Sequence, residues 1–139
     1  MYAVVPPAAY HILVLDDEPA ILALVTNTLV KSGFTQISTC SSIAGARQCW
    51  HAQTGKFDLV LADFCLPDGW APELLKDLLR HKPHLRIILM SGFSADDLGL
   101  DEELARHLDV LQKPFGPGEL IHAVENGLQR LPIAPGEEL

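Results

Sequence analysis

The sequence predicts an α/β fold with a central parallel sheet that is covered by helices on both faces. Short apolar runs alternate five times with segments whose apolar residues recur at helical spacing. The clearest runs are apolar throughout, as expected for strands that are buried on both faces. A chain of 139 residues, 48% of them hydrophobic, is enough for one domain with one sizeable core.

The first strand–helix unit begins with a buried strand predicted over residues 11–16. A helix follows near Pro19, because proline is tolerated in a first helical turn. Gly33 is expected to close this helix. The residues at helical spacing in between are Ile21, Val25 and Leu29.

The second and third units are predicted with different strength. Residues 36–40 form a weaker strand pattern, and Ser41 or Ser42 is placed to cap a helix that runs to about residue 53. Residues 58–63 form a clearly apolar strand that ends in an acid. The turn at residues 66–69 precedes a helix over about 72–81.

The fourth and fifth units complete the predicted sheet. Residues 85–91 form an apolar strand that ends in a hydroxyl, and a helix is expected over 96–107, although Gly99 weakens its start. A short strand is predicted over 110–112 and a last helix over about 117–129.

The predicted domain occupies residues 11–130, with an N-terminal extension at 1–10 and a tail or linker start at 131–139. A formal net charge of −8 argues against a free-standing nucleic-acid binder. The start of the chain lacks a basic signal region, and no apolar run approaches the roughly 18 residues of a membrane span. Three cysteines without a CxxC pair fit reduced thiols, so we predict a cytoplasmic protein.

Chemically active residues stand where the predicted strands end. In open parallel sheets, ligands bind beyond the carboxyl ends of the strands, and distant residues meet at that edge. The sequence therefore predicts a cleft with three carboxylates, a hydroxyl and an ammonium. They are Asp16, Asp17, Asp63, Ser91 and Lys113.

These groups favour phosphoryl chemistry with a divalent cation. Clustered carboxylates repel one another, and a hard cation removes that cost. Oxygen ligands fit Mg²⁺ or Mn²⁺, whereas the convergent His and Cys expected for zinc are missing. The Asp63 carboxylate can attack a phosphoryl group. Lys113 and the metal would neutralise charge on the transferring oxygens, and Ser91 could hydrogen-bond one of them.

These motifs, taken together and in order, resemble those of bacterial response-regulator receiver domains over roughly residues 10–130. The resemblance implies a flavodoxin-like (βα)5 sheet of strand order 2-1-3-4-5. The motifs are Asp16-Asp17, Asp63, Leu66-Pro67-Asp68-Gly69, Ser91-Gly92 and Lys113-Pro114-Phe115.

The resemblance also implies a role for each site residue. Asp63 would be the phospho-acceptor, Asp17 a direct Mg²⁺ ligand and Asp16 a ligand acting partly through water. The backbone carbonyl of Cys65 would complete the protein's share of the coordination. Ser91 and Lys113 would be the switch hydroxyl and the phosphate-binding lysine, with a cis bond from Lys113 to the next proline.

The implied partners are a histidine kinase or histidine phosphotransfer protein and a downstream protein partner. No direct nucleic-acid contact and no membrane insertion are expected, and the domain would be a monomer or weak dimer. It would catalyse its own phosphorylation and dephosphorylation without being a turnover enzyme. Residues 91–98 are similar to receivers attached to hybrid sensor kinases, so both a stand-alone regulator and a piece of a hybrid kinase stay open.

Two departures from the family pattern affect the expected switch. Val110 stands where many receivers carry an aromatic residue, whose ring rotates inward as the Ser/Thr side chain moves. A valine has no ring that could rotate in this way. Cys65 and Phe93 flank the expected phosphoryl group and are poor at positioning water. We therefore expect a long-lived acyl phosphate, and a self-hydrolysis half-life of seconds with Mg²⁺ would contradict this.

Three other functions remain as alternatives. A Mg²⁺-dependent phosphohydrolase would use the same acids, but such enzymes commonly carry a second acid two residues after the nucleophile, where this chain has Cys65. A flavin binder of the same fold is disfavoured, because the acidic turn at residues 16–19 would repel a flavin phosphate. A phosphorylation-independent interaction domain is the third.

Overall fold

The computed structural model describes residues 5–129 and contains the predicted five-stranded parallel sheet. The sheet order is β2-β1-β3-β6-β7, which is the expected order once a small separate hairpin, β4-β5, is counted. The strands are β1 His11–Leu15, β2 Gln36–Cys40, β3 Leu59–Asp63, β4 Cys65–Leu66, β5 Gly69–Trp70, β6 Arg86–Ser91 and β7 Leu108–Gln112. The helices are α1 Pro19–Lys31, α2 Ile43–Ala52, α3 Ala71–His81, α4 Glu102–Ala105 and α5 Pro117–Gln129.

Two apolar layers enclose the sheet, one on each face. Alternate residues of the central strands point to opposite faces, so each strand contributes to both layers. One layer packs against α2, α3 and α4, and the other packs against α1 and α5. This double burial explains why the central residues of β1, β3 and β6 are apolar in succession, which made these strands predictable from sequence.

Helix α1 ends at Lys31, and Gly33 closes it two residues later, as predicted. Gly33 has φ +98°, a left-handed conformation that glycine adopts without steric cost. The Phe34 amide donates to the Leu29 carbonyl, and the Gly33 amide donates to the Val30 carbonyl, both at 3.0 Å. This pair of bonds is the Schellman motif, which satisfies carbonyls at the end of a helix.

The described part of the N-terminal extension packs beside β2. Residues Pro7–Ala9 form a single 3-10 turn. The side-chain amide of Gln36 donates to the Ala8 carbonyl at 2.7 Å, and Tyr10 packs against the α1–α5 layer. The domain limits at residues 11 and 130 stay predictions, and the tail predicted over 131–139 lies outside the described residues.

Ser42, one of the two predicted candidates, caps α2. Its Oγ accepts a hydrogen bond from the Gly45 amide at 3.0 Å. We expect Ser42→Ala to lower the free energy of unfolding by about 1 kcal/mol, because an amide of the first turn loses its partner. Urea unfolding followed by circular dichroism measures the change. Ser41→Ala, an exposed neighbour without this bond, is the control, and equal losses in the two variants would contradict the assignment.

The prediction of one continuous helix over residues 96–107 is wrong. The chain instead forms a 3-10 turn at Ala95–Asp97, an open stretch, and the four-residue helix α4. Gly99 lies between them with φ +65°, which interrupts helical geometry. Asp101 is the N-cap of α4, because its Oδ1 accepts a hydrogen bond from the Leu104 amide at 2.8 Å. The helix therefore begins only at Glu102. Strand β7 then begins at Leu108, earlier than predicted.

Within residues 5–129, no helix is both long and apolar enough to cross a bilayer.

Candidate functional site

Three carboxylates meet at the carboxyl edge of the sheet. Asp16 follows β1 and Asp63 ends β3, and these strands are parallel neighbours with Leu15 opposite Ala62. One carboxylate oxygen from each of Asp16, Asp17 and Asp63 lies within 4.8 Å of the others. Asp16 is fully buried, Asp63 is half-buried and Asp17 is exposed. The topology has therefore brought together the three acids that the sequence placed at strand ends.

The Lys113 ammonium lies among these acids. Its Nζ is 3.0 Å from Asp16 Oδ2, 3.4 Å from Asp63 Oδ1 and 3.8 Å from Glu18 Oε1. Burial of the ammonium works to lower its pKa, but the hydrogen bond to Asp16 and the surrounding negative charges outweigh this, so the pKa of Lys113 is raised. The lysine is therefore held as a cation.

Backbone geometry places Lys113 at this edge. Its amide donates to the Ser91 carbonyl at 2.7 Å, beyond the last pair of β6 and β7. The bond from Lys113 to Pro114 is cis, as the resemblance implied.

The Asp63 carboxyl is easier to protonate than an ordinary aspartate. Burial raises its pKa, the nearby charge of Asp16 raises it further, and the Lys113 ammonium only partly offsets these effects. A single lysine therefore does not fully neutralise the cluster. A divalent cation among the three carboxylates would supply the missing positive charge.

Ser91 is at the end of β6, on the strand next to Asp63. Asp63 pairs with Met90, so Ser91 extends one residue beyond that pair. Its side chain is only 2% exposed, and its Oγ accepts a hydrogen bond from the Phe93 amide at 2.9 Å.

The departures noted in the sequence have clear positions. Val110 is partly buried in β7 and packs against the layer formed with α2 and α3. Cys65 is exposed in β4, opposite Trp70. Phe93 is 63% exposed. Neither Cys65 nor Phe93 presents a charged group beside the acids.

Sequence reasoning missed a second role for the turn at residues 66–69. The Asp68 carboxylate accepts hydrogen bonds from the Ile43 amide at 2.9 Å and the Ala44 amide at 3.0 Å, at the start of α2. These bonds lower the pKa of Asp68. The loop after Asp63 is thereby tied to a different helix, a contact across 25 residues that local sequence signals do not reveal.

The fold and the site together define a class of protein. It is a doubly wound α/β domain with an acidic pocket that contains a lysine at the carboxyl edge of its sheet. The model of the family described as the response regulator receiver domain matches residues 12–125. This chain belongs to that family, as its sequence motifs indicated.

Individual relatives agree with the family. The chain is 33% identical over 132 residues to the alkaline phosphatase synthesis transcriptional regulatory protein PhoP of Bacillus subtilis, covering 92% of this chain and 52% of PhoP. It is 28% identical to the response regulator receiver protein CpdR of Brucella abortus, covering 85% of this chain and 96% of CpdR. The chain spans about half or less of the length of the first curated relatives that it matches.

A solved structure gives the same result for the fold. The response regulator receiver protein from Sinorhizobium medicae WSM419 superposes with a TM-score of 0.74 at 26% identity, covering 88% of this chain and 97% of that one. The chain is thus a receiver of two-component signalling, a class of domain that interacts with histidine kinases and downstream partners.

Proposed function

We propose that Asp63 accepts a phosphoryl group from a phosphohistidine on a histidine kinase or phosphotransfer protein, with Mg²⁺ bound by the neighbouring acids. One observation carries the proposal: Asp16, Asp17 and Asp63 converge within 4.8 Å, and the Lys113 ammonium lies 3.4 Å from Asp63. A nucleophilic carboxylate, a cation-binding group and a fixed positive charge are the parts that phosphoryl transfer needs.

Each residue has a defined part in the transfer. An Asp63 oxygen attacks phosphorus, the bond from phosphorus to the histidine nitrogen breaks, and an acyl phosphate forms on Asp63. Lys113 stabilises negative charge on the transferring oxygens, and the Ser91 hydroxyl donates a hydrogen bond to one of them. Bound Mg²⁺ would supply the remaining neutralising charge.

Mg²⁺ fits the donors present, and Mn²⁺ is a chemical substitute. Asp17 would bind the ion directly, Asp16 partly through water, Asp63 directly, and Cys65 through its backbone carbonyl. The candidate cluster found within residues 5–129 contains carboxylates alone, the ligand type of hard divalent cations. The raised pKa of Asp63 without a metal is consistent with a site that needs a further cation.

Mg²⁺ is expected to raise the unfolding midpoint of the protein. Ligand at ten times its Kd stabilises a protein by about 1.4 kcal/mol, because it binds only the folded state. Asp17→Asn should abolish this stabilisation, because Asp17 is the acid that would bind the ion directly through its carboxylate. Thermal unfolding with MgCl₂ and with EDTA measures the effect. Glu125→Gln, at an exposed position of α5, is the control and should respond like the wild type.

The proposed output is a changed protein-binding surface. The domain would catalyse its own phosphorylation and dephosphorylation without turning over a separate substrate. It would act as a monomer or weak dimer in the cytoplasm, without contacting nucleic acid directly.

The direct test is intact-mass measurement after incubation with acetyl phosphate and Mg²⁺. The mass should rise by one phosphoryl group, and EDTA should prevent the rise. An unchanged mass with both acetyl phosphate and a phosphorylated histidine phosphotransfer protein would contradict the proposal. Steady release of phosphate from small phosphomonoesters would instead favour the phosphohydrolase alternative.

A further inference from the structure

Two histidines from neighbouring helices meet at the end of the domain that lies opposite the acids. His51 is in the last turn of α2, and His81 is the last residue of α3. These helices lead into β3 and β6, which are parallel, so both helices end at the edge of the sheet where its strands begin. The two imidazole rings are perpendicular, with centroids 6.3 Å apart.

The same two helices are already joined one turn earlier. Arg47 Nη2 on α2 is 2.9 Å from Asp77 Oδ2 on α3. Arg47 is four residues before His51, and Asp77 is four residues before His81, so each two-residue set lies on one face of its helix. The histidines therefore occupy the next step of the contact line between α2 and α3, and their approach follows from the packing of the helices.

The His81 ring is held in one tautomer. Its Nδ1 is 2.9 Å from the Asp77 carbonyl oxygen, and a carbonyl oxygen only accepts, so Nδ1 carries the proton and donates it. In the neutral ring, Nε2 then has a free lone pair, which is the arrangement that metal-binding histidines commonly show. Among residues 5–129, the His51 ring makes no hydrogen bond, so its nitrogens are available as ligands.

We propose that His51 and His81 form a binding site for a divalent transition-metal ion, Zn²⁺ in particular, which would link α2 to α3. Imidazole nitrogens bind Zn²⁺ at about 2.0–2.1 Å, so two rings that share one ion have centres roughly 5–6.5 Å apart. The observed 6.3 Å lies within this range. Rotation of the exposed His51 side chain can aim a ring nitrogen at the ion, and water would fill the remaining coordination positions.

The surroundings favour a cation. The carboxyl-terminal ends of α2 and α3 meet here, and the unpaired carbonyls of each helix end carry partial negative charge. Lys82 lines the same cleft, but its ammonium donates to the Phe57 carbonyl and lies 3.9 Å from Asp58 Oδ1. Its charge is therefore held by other oxygens.

Two imidazoles select a different ion from the acids at the opposite edge. Neutral nitrogens suit Zn²⁺, Ni²⁺ and Cu²⁺, whereas Mg²⁺ is bound through oxygens. The Asp77 carboxylate is paired with Arg47 and Arg80, and within residues 5–129 no third His, Cys, Asp or Glu joins the two histidines. The site should therefore bind Zn²⁺ while the acids hold Mg²⁺, whether or not Asp63 is phosphorylated.

Nitrogen NMR of the histidine rings on the full chain tests the proposal. The protein is kept in excess MgCl₂, so that the acids do not compete for Zn²⁺, and ZnCl₂ is added. Before this addition, His81 should show the tautomer with its proton on Nδ1. Zn²⁺ should then shift one ring nitrogen of both His51 and His81, and it should raise the unfolding midpoint by binding only the folded state.

Matched variants locate the ion. His51→Gln and His81→Gln should each weaken Zn²⁺ binding at least 10- to 100-fold, roughly the loss that even a partner outside the metal's own ligands causes. The His51 variant should keep the fold, because this side chain is exposed and its ring makes no hydrogen bond within residues 5–129. His122→Gln, at an exposed position of α5, and Cys65→Ser, which removes an exposed thiol, should bind Zn²⁺ like the wild type.

Three outcomes would overturn the proposal. The first is that millimolar Zn²⁺ shifts neither ring. The second is that binding survives both His51→Gln and His81→Gln, and the third is that more Mg²⁺ or Cys65→Ser abolishes it, since the ion would then be bound by the acids or the thiol. None of these outcomes bears on the phosphorylation of Asp63, which the gain in mass tests separately.

Discussion

Asp63→Asn is expected to gain no phosphoryl group from acetyl phosphate or from a phosphohistidine partner. The neutral amide is a poor nucleophile, and it removes one of the three carboxylates that would hold the metal. Intact-mass spectrometry with Mg²⁺ should show a shifted wild type and an unshifted variant. The loss should be complete, because the other acids of the cluster are assigned to the metal.

Asp58→Asn is the matched control for this variant. Asp58 stands just before β3, at the opposite end from Asp63, and its carboxylate accepts from the His11 amide at 2.9 Å. An asparagine oxygen can keep that bond, so the control should gain the phosphoryl group normally. A mass gain in Asp63→Asn equal to that of the control would place the acceptor elsewhere.

Asp63→Asn should also stabilise the folded protein at neutral pH in the absence of metal. The pKa of Asp63 is raised in the folded protein above its ordinary 3.8, by burial and by Asp16, so ionising it costs stability. The cost is absent below about pH 3.8, grows as pH rises through the folded pKa and is constant above it. Asp63→Asn removes the cost, and its advantage in unfolding midpoint should appear over that rise in pH. A lower midpoint at neutral pH would contradict the assignment.

Lys113→Met is expected to slow phosphoryl gain by roughly 100- to 1,000-fold, the range seen when one preorganised charge-stabilising group is removed. The lysine contributes its positive charge where negative charge develops, 3.4 Å from the Asp63 oxygen. The methionine keeps most of the side-chain volume, so packing changes little. The initial rate of mass gain at fixed acetyl phosphate and Mg²⁺ measures the effect.

Lys113→Met should also lower the free energy of unfolding by roughly 3 kcal/mol in EDTA. It leaves the fully buried Asp16 without its cationic partner, and breaking a buried pair from one side is costly. Mg²⁺ should restore part of the loss, because it supplies positive charge to the same acids. Lys76→Met, which breaks an exposed pair with Asp101, is the control and should change stability little. Equal stabilities of the wild type and Lys113→Met in EDTA would refute a counter-ion role.

The sheet and the composition of the site could be predicted because their signals are local. Residues 12–15 are apolar in succession because both faces of β1 are buried, and the same holds for β3 and β6. Asp16, Asp63, Ser91 and Lys113 each follow a strand, and parallel topology alone brings such positions to one edge.

Local sequence signals gave the wrong structure for residues 96–107. This segment carries acids and leucines at spacings compatible with a helix, and Gly99 is the one residue in it that disfavours a helix. The structure resolves the conflict through contacts that join distant parts of the chain. Lys76 on α3 pairs with Asp101, and Leu98 and Leu104 pack onto the layer beneath them. A short helix and an open turn satisfy these contacts.

The apolar runs and the motifs at their ends were enough to predict a parallel sheet, the residues at its carboxyl edge and the membership of the receiver family, and the family resemblance implied the strand order. Three contacts became visible only in the folded chain: Asp68 accepts amide hydrogen bonds at the start of α2, Glu18 shares the Lys113 ammonium, and the Ser91 hydroxyl accepts from the Phe93 amide. The physical reason is that hydrogen bonds and ion pairs depend on side-chain and backbone positions to within about an ångström. Strand burial leaves a repeating pattern along the chain, whereas a single contact between two loops leaves none.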